Sequence, residues 1–518
     1  MAGSLLKSTS IVGSMTLVSR VLGFIRDQLQ ARLFGAGAAM DVFFVAFRIP
    51  NLFRRLFAEG AFTQAFVPVL SEARATRTPE EVRQLVDVVA GTLGGVMALI
   101  GGLAVIGAPL VMFLFAPGFA HHDPAKFALG VELLRWTFPY LPLISLTAFL
   151  AGILNAHGRF AEAAFNPAWM NVCLIAAAWW FAPSVEALAI GVLISGVVQL
   201  AFLLPSVARL GLLPRPRWGW SDPEVRRIIG LMLPIAFGSS VSQLSLLLDT
   251  VIASFLPGDG NVSWLWYADR LMEFPLGTFS VAIATVILPS LARQHSQRSE
   301  AQFSATLDWG LRVILVIGVP ATLGLFLLAG PLVSTLFQSA AFTAHSVRMT
   351  AWALMAYATG FLGFSLVKIL VPGFYARQET RIPVRYAVVA FVSGMAASAS
   401  LTLAAIRLGF VAPHAAIAVA TSAGAWINAM LLLARLRRDR IWRPAPGWDV
   451  FALRLLAANG AMAALLLWLA GDLESWITAT FVSRAVRLAA AIAGGMALYF
   501  AVLAAGGLRL RHFRLAAG

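Results

Sequence analysis

One cysteine, Cys173, stands in 518 residues. It lies inside an apolar run, so the chain has no disulfide framework and no thiolate metal site. Charge is scarce too. Asp, Glu, Lys and Arg together make up 12% of the residues against 59% hydrophobic, with mean hydropathy +0.82, which no soluble domain of this size matches. There is no Asp-rich motif of the kind that holds a divalent metal, and no loop large enough to house a catalytic domain. Both absences argue against a membrane enzyme acting on a polyprenyl-phosphate donor. No cleavable signal peptide is evident: the first apolar segment is long and amphipathic and contains Arg20 and Arg26, so it reads as a span.

What the chain does have is apolar runs of about 20 residues along its whole length, each long enough to cross a bilayer as a helix. The short alternating segments of a β-barrel are missing. The expected fold is an all-α integral membrane protein of about fourteen transmembrane helices. Their cores lie near 8–33, 40–58, 86–115, 130–154, 163–182, 185–207, 228–256, 264–290, 308–330, 348–375, 384–406, 411–434, 452–470 and 485–506. The net charge of +15 would point to nucleic acid in a soluble protein; here Lys and Arg collecting in cytoplasmic loops explain it, and no nucleic-acid partner is implied. Every second loop is basic, ending with "ARLRRDRIWR" at 434–443, while "APSVEA", "PGDGN" and "GDLES" on the other side carry no Lys or Arg. That asymmetry predicts both termini in the cytoplasm.

An internal repeat divides the spans. "VAFR" at 45–48 corresponds to "YADR" at 267–270, and each leads to a proline motif, "VPVLSEAR" from Val67 and "LPSLARQ" from Leu288. Gly35 and Gly258 close the first and seventh spans alike. The offset corresponds to six spans, so the two halves run parallel. The expected organisation is an N-lobe at 1–218, a C-lobe at 219–443 and a C-terminal helix pair at 444–518. Two repeated halves around a midplane site are a transporter architecture.

Charges inside spans are costly and mark function. The first span has Arg20, Arg26 and Asp27; the second has Asp41, Arg48, Arg54, Arg55 and Glu59. Asp249 falls in the seventh, Asp269, Arg270 and Glu273 in the eighth and Lys368 in the tenth. Glu273, three residues after Arg270, is a natural local partner, whereas adjacent Asp269 is expected to point elsewhere. Each arginine also has a plainer reading. Arg54 and Arg55 can snorkel to headgroups, and Arg48 can pair with Asp41 or Glu59 as structural glue. Asp249 reads equally as a cation site, an ion-pair partner or a packing residue. Taken together, the arginines predict a water-filled cationic cavity between the halves. Guanidinium matches phosphate oxygens bidentately and stays charged, so the cargo expected there bears phosphate, and so large a chamber suits a lipid-linked phosphate.

Five stretches carry a family resemblance: "SRVLGFIRDQLQARLFGAG" (19–37), "DVFFVAFRIPNLFRRLFAEGAFTQAFVPVLSE" (41–72), "GILNAHGRF" (152–160), "YADRLMEFPLGTF" (267–279) and "KILVPGFYARQETRIPV" (368–384). In order and spacing they resemble the MurJ (MviN-type) lipid II flippases of the multidrug/oligosaccharidyl-lipid/polysaccharide exporter superfamily. The resemblance implies two six-helix lobes plus two C-terminal helices whose groove holds a polyprenyl tail. It implies a flippase, not an enzyme, that moves the undecaprenyl-diphosphate-linked peptidoglycan precursor across the bacterial cytoplasmic membrane by alternating access. It matches Arg20, Arg26, Arg54 and Arg270 to essential cavity arginines, and Ser19, Asp27, Asp41, Arg55 and Glu59 to supporting positions. Arg48, Asp269, Glu273 and Lys368 join the supporting set on their intramembrane charge alone. It implies drive by membrane potential, with Na+ or H+ as coupling ion left open and Asp249 where a cation-site carboxylate is expected. Beyond lipid II and membrane lipids, the partners expected are cell-wall synthesis proteins of the divisome or elongasome. An exporter of another polyprenyl-diphosphate-linked glycan is the nearest alternative. A drug/cation antiporter of the same fold would want acidic and aromatic residues in place of arginines.

Overall fold

Small polar residues followed by proline start several of the helices. The computed structural model describes the backbone over residues 2–54 and 61–508, and side chains over 13–52, 54, 61–235 and 244–508. Arg55 and Glu59 lie outside the described residues. Thr78 caps the helix Pro79–Ile106: its hydroxyl accepts the Glu81 amide while the Glu81 carboxylate accepts the Thr78 amide at 2.9 Å, a reciprocal capping box. Asp123 and Asp222 do the same one-sidedly before Pro124 and Pro223. Glycines in the left-handed region end helices, with Gly35, Gly158, Gly211 and Gly409 all at positive φ, because only glycine takes that conformation without Cβ strain. Gly258, the expected counterpart of Gly35, shares it at φ 81 against 75.

The described helices fall into two compact units, Met1–Ser263 and Trp264–Gly518. The first holds α1 (Ala2–Phe34), α2 (Ala38–Phe53), α3 (Thr63–Thr76), α4 (Pro79–Ile106), α5 (Ala108–Phe115), α6 (Pro117–His122), α7 (Pro124–Thr137), α8 (Tyr140–Ala156), α9 (Phe160–Phe165), α10 (Pro167–Phe181), α11 (Val185–Ala208) and α12 (Pro223–Ser254). The unit boundary falls within α13 (Asn261–Pro275). The second unit continues through a π-helical turn at Leu276–Ser280, α14 (Val281–Ser296), α15 (Glu300–Leu327), α16 (Ala329–Phe337), α17 (Ala344–Tyr375), α18 (Arg381–Arg407), α19 (His414–Arg438), α20 (Trp448–Ala470), α21 (Glu474–Ile477) and α22 (Phe481–Ala505). No strand occurs among the described residues.

Among the described residues, ten helical segments are long and apolar enough to cross a membrane. Most of them behave as lipid-facing helices do. Arg381–Arg407 has mean hydropathy 1.8 over a window only 17% buried, so most of that apolar surface faces outward. In water this would cost roughly 25 cal/mol per Å²; in lipid it costs nothing. Unit 1 has a core around Phe66, Phe149 and Ile153, and unit 2 one around Leu307, Ile369 and Leu432. Backbones approach closely at small residues, as they must where lipid supplies no hydrophobic drive. A Cβ on Gly360 of α17 would meet the Ser422 Cα of α19 at 2.6 Å. Inside unit 2, α20 and α22 pack on each other and on α15 and α16, with the Tyr499 hydroxyl donating to the Val316 carbonyl at 2.7 Å.

Candidate functional site

Helix α1 places its two arginines differently. Arg20 is exposed and makes no hydrogen bond or ion pair among the described residues. Arg26 is 7% exposed and held on two sides. Its Nε and Nη2 donate to Asp27 at 2.9 and 2.6 Å, and its Nη1 donates to the Asn171 side-chain oxygen of α10 at 3.0 Å. The Asn171 amide in turn donates to the Ser19 carbonyl at 3.0 Å. This lashes α1 to α10 around a buried charge pair and fixes the guanidinium's direction. Removing one member of such a pair strands the other in low dielectric, at a cost of about 3–5 kcal/mol.

Arg48 donates to the Leu246 carbonyl at 3.0 Å and to the Thr250 hydroxyl, both on α12, while Glu59, one of its expected partners, lies outside the described residues. Asp41 instead binds the first turn of α13 and the loop before it. Its carboxylate accepts the Gly260 amide at 2.7 Å, the Ser263 amide at 2.8 Å and the Ser263 hydroxyl at 2.7 Å. Lys126 stands 3.9 Å away, paired with Asp259. Asp41 is therefore a staple within unit 1. Arg54 is half-buried, with Nε donating to Asn51 at 2.8 Å. It lines a cavity of about 450 Å³ with Tyr140, Asn155, Asn166 and Gln199. Those amides were not singled out in the sequence, although Asn155 belongs to the "GILNAHGRF" stretch. Asn171, the partner of Arg26, carries no sequence signal because it sits 145 residues away in an apolar helix.

In unit 2, Arg270 lies 2.5 Å from Glu273, as the spacing predicts, and its guanidinium covers the Trp266 ring at 4.8 Å. Asp269 departs from expectation: its carboxylate comes within 3.7 Å of Arg270. Lys368 is exposed on α17. Asp249, 5% exposed on α12, is buried inside unit 1. Among the described residues no group of three or more His, Cys, Asp or Glu is placed to hold a metal ion.

Residues 30–487 match the family described as Lipid II flippase MurJ. The chain belongs to the MurJ family. A probable lipid II flippase MurJ of Vibrio cholerae serotype O1 is 44% identical over 99% of this chain and 98% of its own length. The lipid II flippase MurJ of Burkholderia cenocepacia is 40% identical over 99% of both. A solved structure of lipid II flippase MurJ in an inward closed conformation superposes with TM-score 0.79 over 95% of this chain and 97% of that one, at 24% identity. An inward-facing multidrug resistance MATE transporter of the MOP superfamily aligns with TM-score 0.63 at 16% identity, covering 83% of this chain and 98% of its own. The fold is thus the MurJ fold, within a wider transporter architecture.

Proposed function

We infer that this chain is a lipid II flippase, carrying the undecaprenyl-diphosphate-linked peptidoglycan precursor from the inner to the outer leaflet of the bacterial inner membrane. The observation that carries the reading is 44% identity, along almost the whole chain, to a relative of that name. The arginine excess among the intramembrane charges favours an anionic cargo over the cationic drugs of an antiporter. The protein acts as a transporter, and nothing in the reading calls on a catalytic step.

We assign the diphosphate to Arg20, Arg26, Arg54 and Arg270. Ser19, Asp27, Asp41, Arg48, Arg55, Glu59, Asp269, Glu273 and Lys368 are assigned to support them by orienting or balancing charge. The exposed Arg20, with no ion pair among the described residues, favours this, since an arginine without a carboxylate beside it is costly in a span unless water or a ligand serves it. Asp249 is the carboxylate proposed for a coupling ion. A single buried carboxylate suits H+ or Na+, the latter with neutral oxygens completing its shell, better than a divalent metal. Membrane potential, worth about 2.3 kcal/mol per charge per 100 mV, would drive the cycle, which runs by alternating access.

The fourteen-span reading adds α1, α2, α10 and α12 to the ten long apolar segments. With an N-lobe at 1–218, a C-lobe at 219–443 and a helix pair at 444–518 holding the polyprenyl tail, it puts both termini in the cytoplasm. Cell-wall synthesis proteins of the divisome or elongasome are the proposed partners. Depletion and rescue tests the function: Arg26→Ala or Arg270→Ala should insert in the membrane yet leave lipid II in the inner leaflet of intact cells. Normal externalisation by either variant would remove it from the diphosphate site. Failure of the unaltered chain to rescue would remove the flippase reading itself.

A further inference from the structure

Three helices of unit 2 end in a way the other described helices avoid. At the end of α14, Arg298 has φ 55; after α17, Gln378 has φ 61; after α19, Arg440 has φ 56. These are the non-glycine residues at positive φ among the described residues, and each closes its helix with the pair of backbone hydrogen bonds that elsewhere surrounds a glycine. At Arg298 the bonds run from its amide to His295 and from Ser299 to Gln294, both at 3.0 Å. After α8 and α11 the corresponding residues are Gly158 and Gly211. A side chain in the left-handed region costs about 1 kcal/mol or more that glycine avoids. A loop that only needed positive charge for topology would put glycine there and arginine beside it.

The three ends meet around one cavity of about 500 Å³. Arg298, Arg377, Arg440 and Arg443 line it, against the carboxylates of Glu300 and Asp439. Both carboxylates leave charge to spare. Asp439 is paired with Arg435 at 2.7 Å, and only Arg377 among the four arginines has an acidic partner, Glu379 at 3.0 Å. Arg298, Arg440 and Arg443 have none among the described residues. The first turn of α15 also opens here, and its N-cap Ser299 makes no side-chain capping bond, so amides at that helix end are available to an anion. Phe303 and Ile441 supply apolar lining. None of these residues belongs to the proposed diphosphate site.

We propose that this cavity, at the basic-loop end of unit 2, is a second anion site that binds a phosphate-bearing ligand. Planar guanidiniums on three converging chain segments suit a phosphate with several free oxygens. The same chemistry is offered by a phospholipid headgroup and by a soluble phosphate, and the test separates the two.

The full chain, purified in neutral detergent, would be titrated with inorganic pyrophosphate while thermal unfolding is followed, and separately placed in lipid discs with or without phosphatidylglycerol in phosphatidylcholine. The unaltered protein is expected to be stabilised. R298G/R440G should need about tenfold or more pyrophosphate for the same shift, or lose the phosphatidylglycerol effect. Without ligand it should unfold no lower than the parent, since glycine suits both backbones. Arg26→Ala, which alters the other site, should keep the response. Should the double variant fail to fold, Arg443→Gln gives the same reading, because the Arg443 contact to Ser304 is through its backbone. A response to discs alone assigns a lipid headgroup, and a response to pyrophosphate assigns a soluble ligand. An equal response in parent and variants, or none in the parent to either probe, overturns the proposal.

Discussion

A guanidinium inside a membrane needs an anion, a carbonyl or water, and the arginines of unit 1 have found different solutions. Arg26 has Asp27 and Asn171, Arg48 has a carbonyl and a hydroxyl of α12, and Arg54 has Asn51 and a cavity. Function and folding are therefore entangled at Arg26. Arg26→Ala should lower stability by about 3–5 kcal/mol by stranding Asp27. Arg26→Ala with Asp27→Asn should recover most of that in thermal unfolding while lipid II transport stays lost; transport by the double variant would make Arg26 purely structural. Outside the spans, pH acts on two groups. Partial burial, with the nearby Arg74 charge assisting, holds the His157 imidazole below its usual 6.5. The unfolded chain then binds the proton first, and stability falls as pH drops below 6.5. Glu72 is held below the usual carboxylate value of 4.5 by its hydrogen bond to Arg227. Its contribution is present above 4.5 and fades as pH falls through the lowered folded value. His157→Gln should flatten the first decline in a pH series of unfolding temperatures and leave the second.

Helix existence was legible from hydropathy, because hydropathy is a local signal. Breaks within spans were not. The span expected at 86–115 is two helices, with α4 ending at Ile106 and α5 beginning at Ala108, and the span at 130–154 is likewise α7 followed by α8. Composition stays apolar through such breaks, so periodicity does not register them. Close packing is also an element-scale property. Gly360→Val should push α17 from α19, since a β-branched side chain cannot fit where even Cβ meets the Ser422 backbone. A loss of at least 1–3 kcal/mol in thermal unfolding is expected from overpacking, and unchanged stability would mean that the two helices separate freely.

For the whole molecule, the single cysteine is a practical gift. Cys173→Ser should give a functional cysteine-free background, because Cys173 is a half-buried residue of α10 with no disulfide. Single cysteines placed at Thr78 and Arg440 should then be labelled from the cytoplasm, and one at Asp472 from the outside. The reverse pattern would overturn the orientation read from loop charge. At this scale the candidate site was half legible: its charged residues could be named from sequence, but their neutralisation could not. The Arg270–Glu273 pair was readable because three residues make one helical turn. Asn171, the second partner of Arg26, and Leu246, which binds Arg48, were not, lying 145 and 198 residues away.

By itself, then, the amino-acid sequence determined the membrane class, the family and the identity of the intramembrane charges, since hydropathy, motif spacing and residue type are properties of short stretches. Only the tertiary structure decided that Asp41 clamps a loop, that Asn171 steers Arg26, and that three strained helix ends surround one basic cavity. Each of those depends on segments distant in the chain coming within hydrogen-bonding range, and a buried polar group takes whichever partner the packing brings to it.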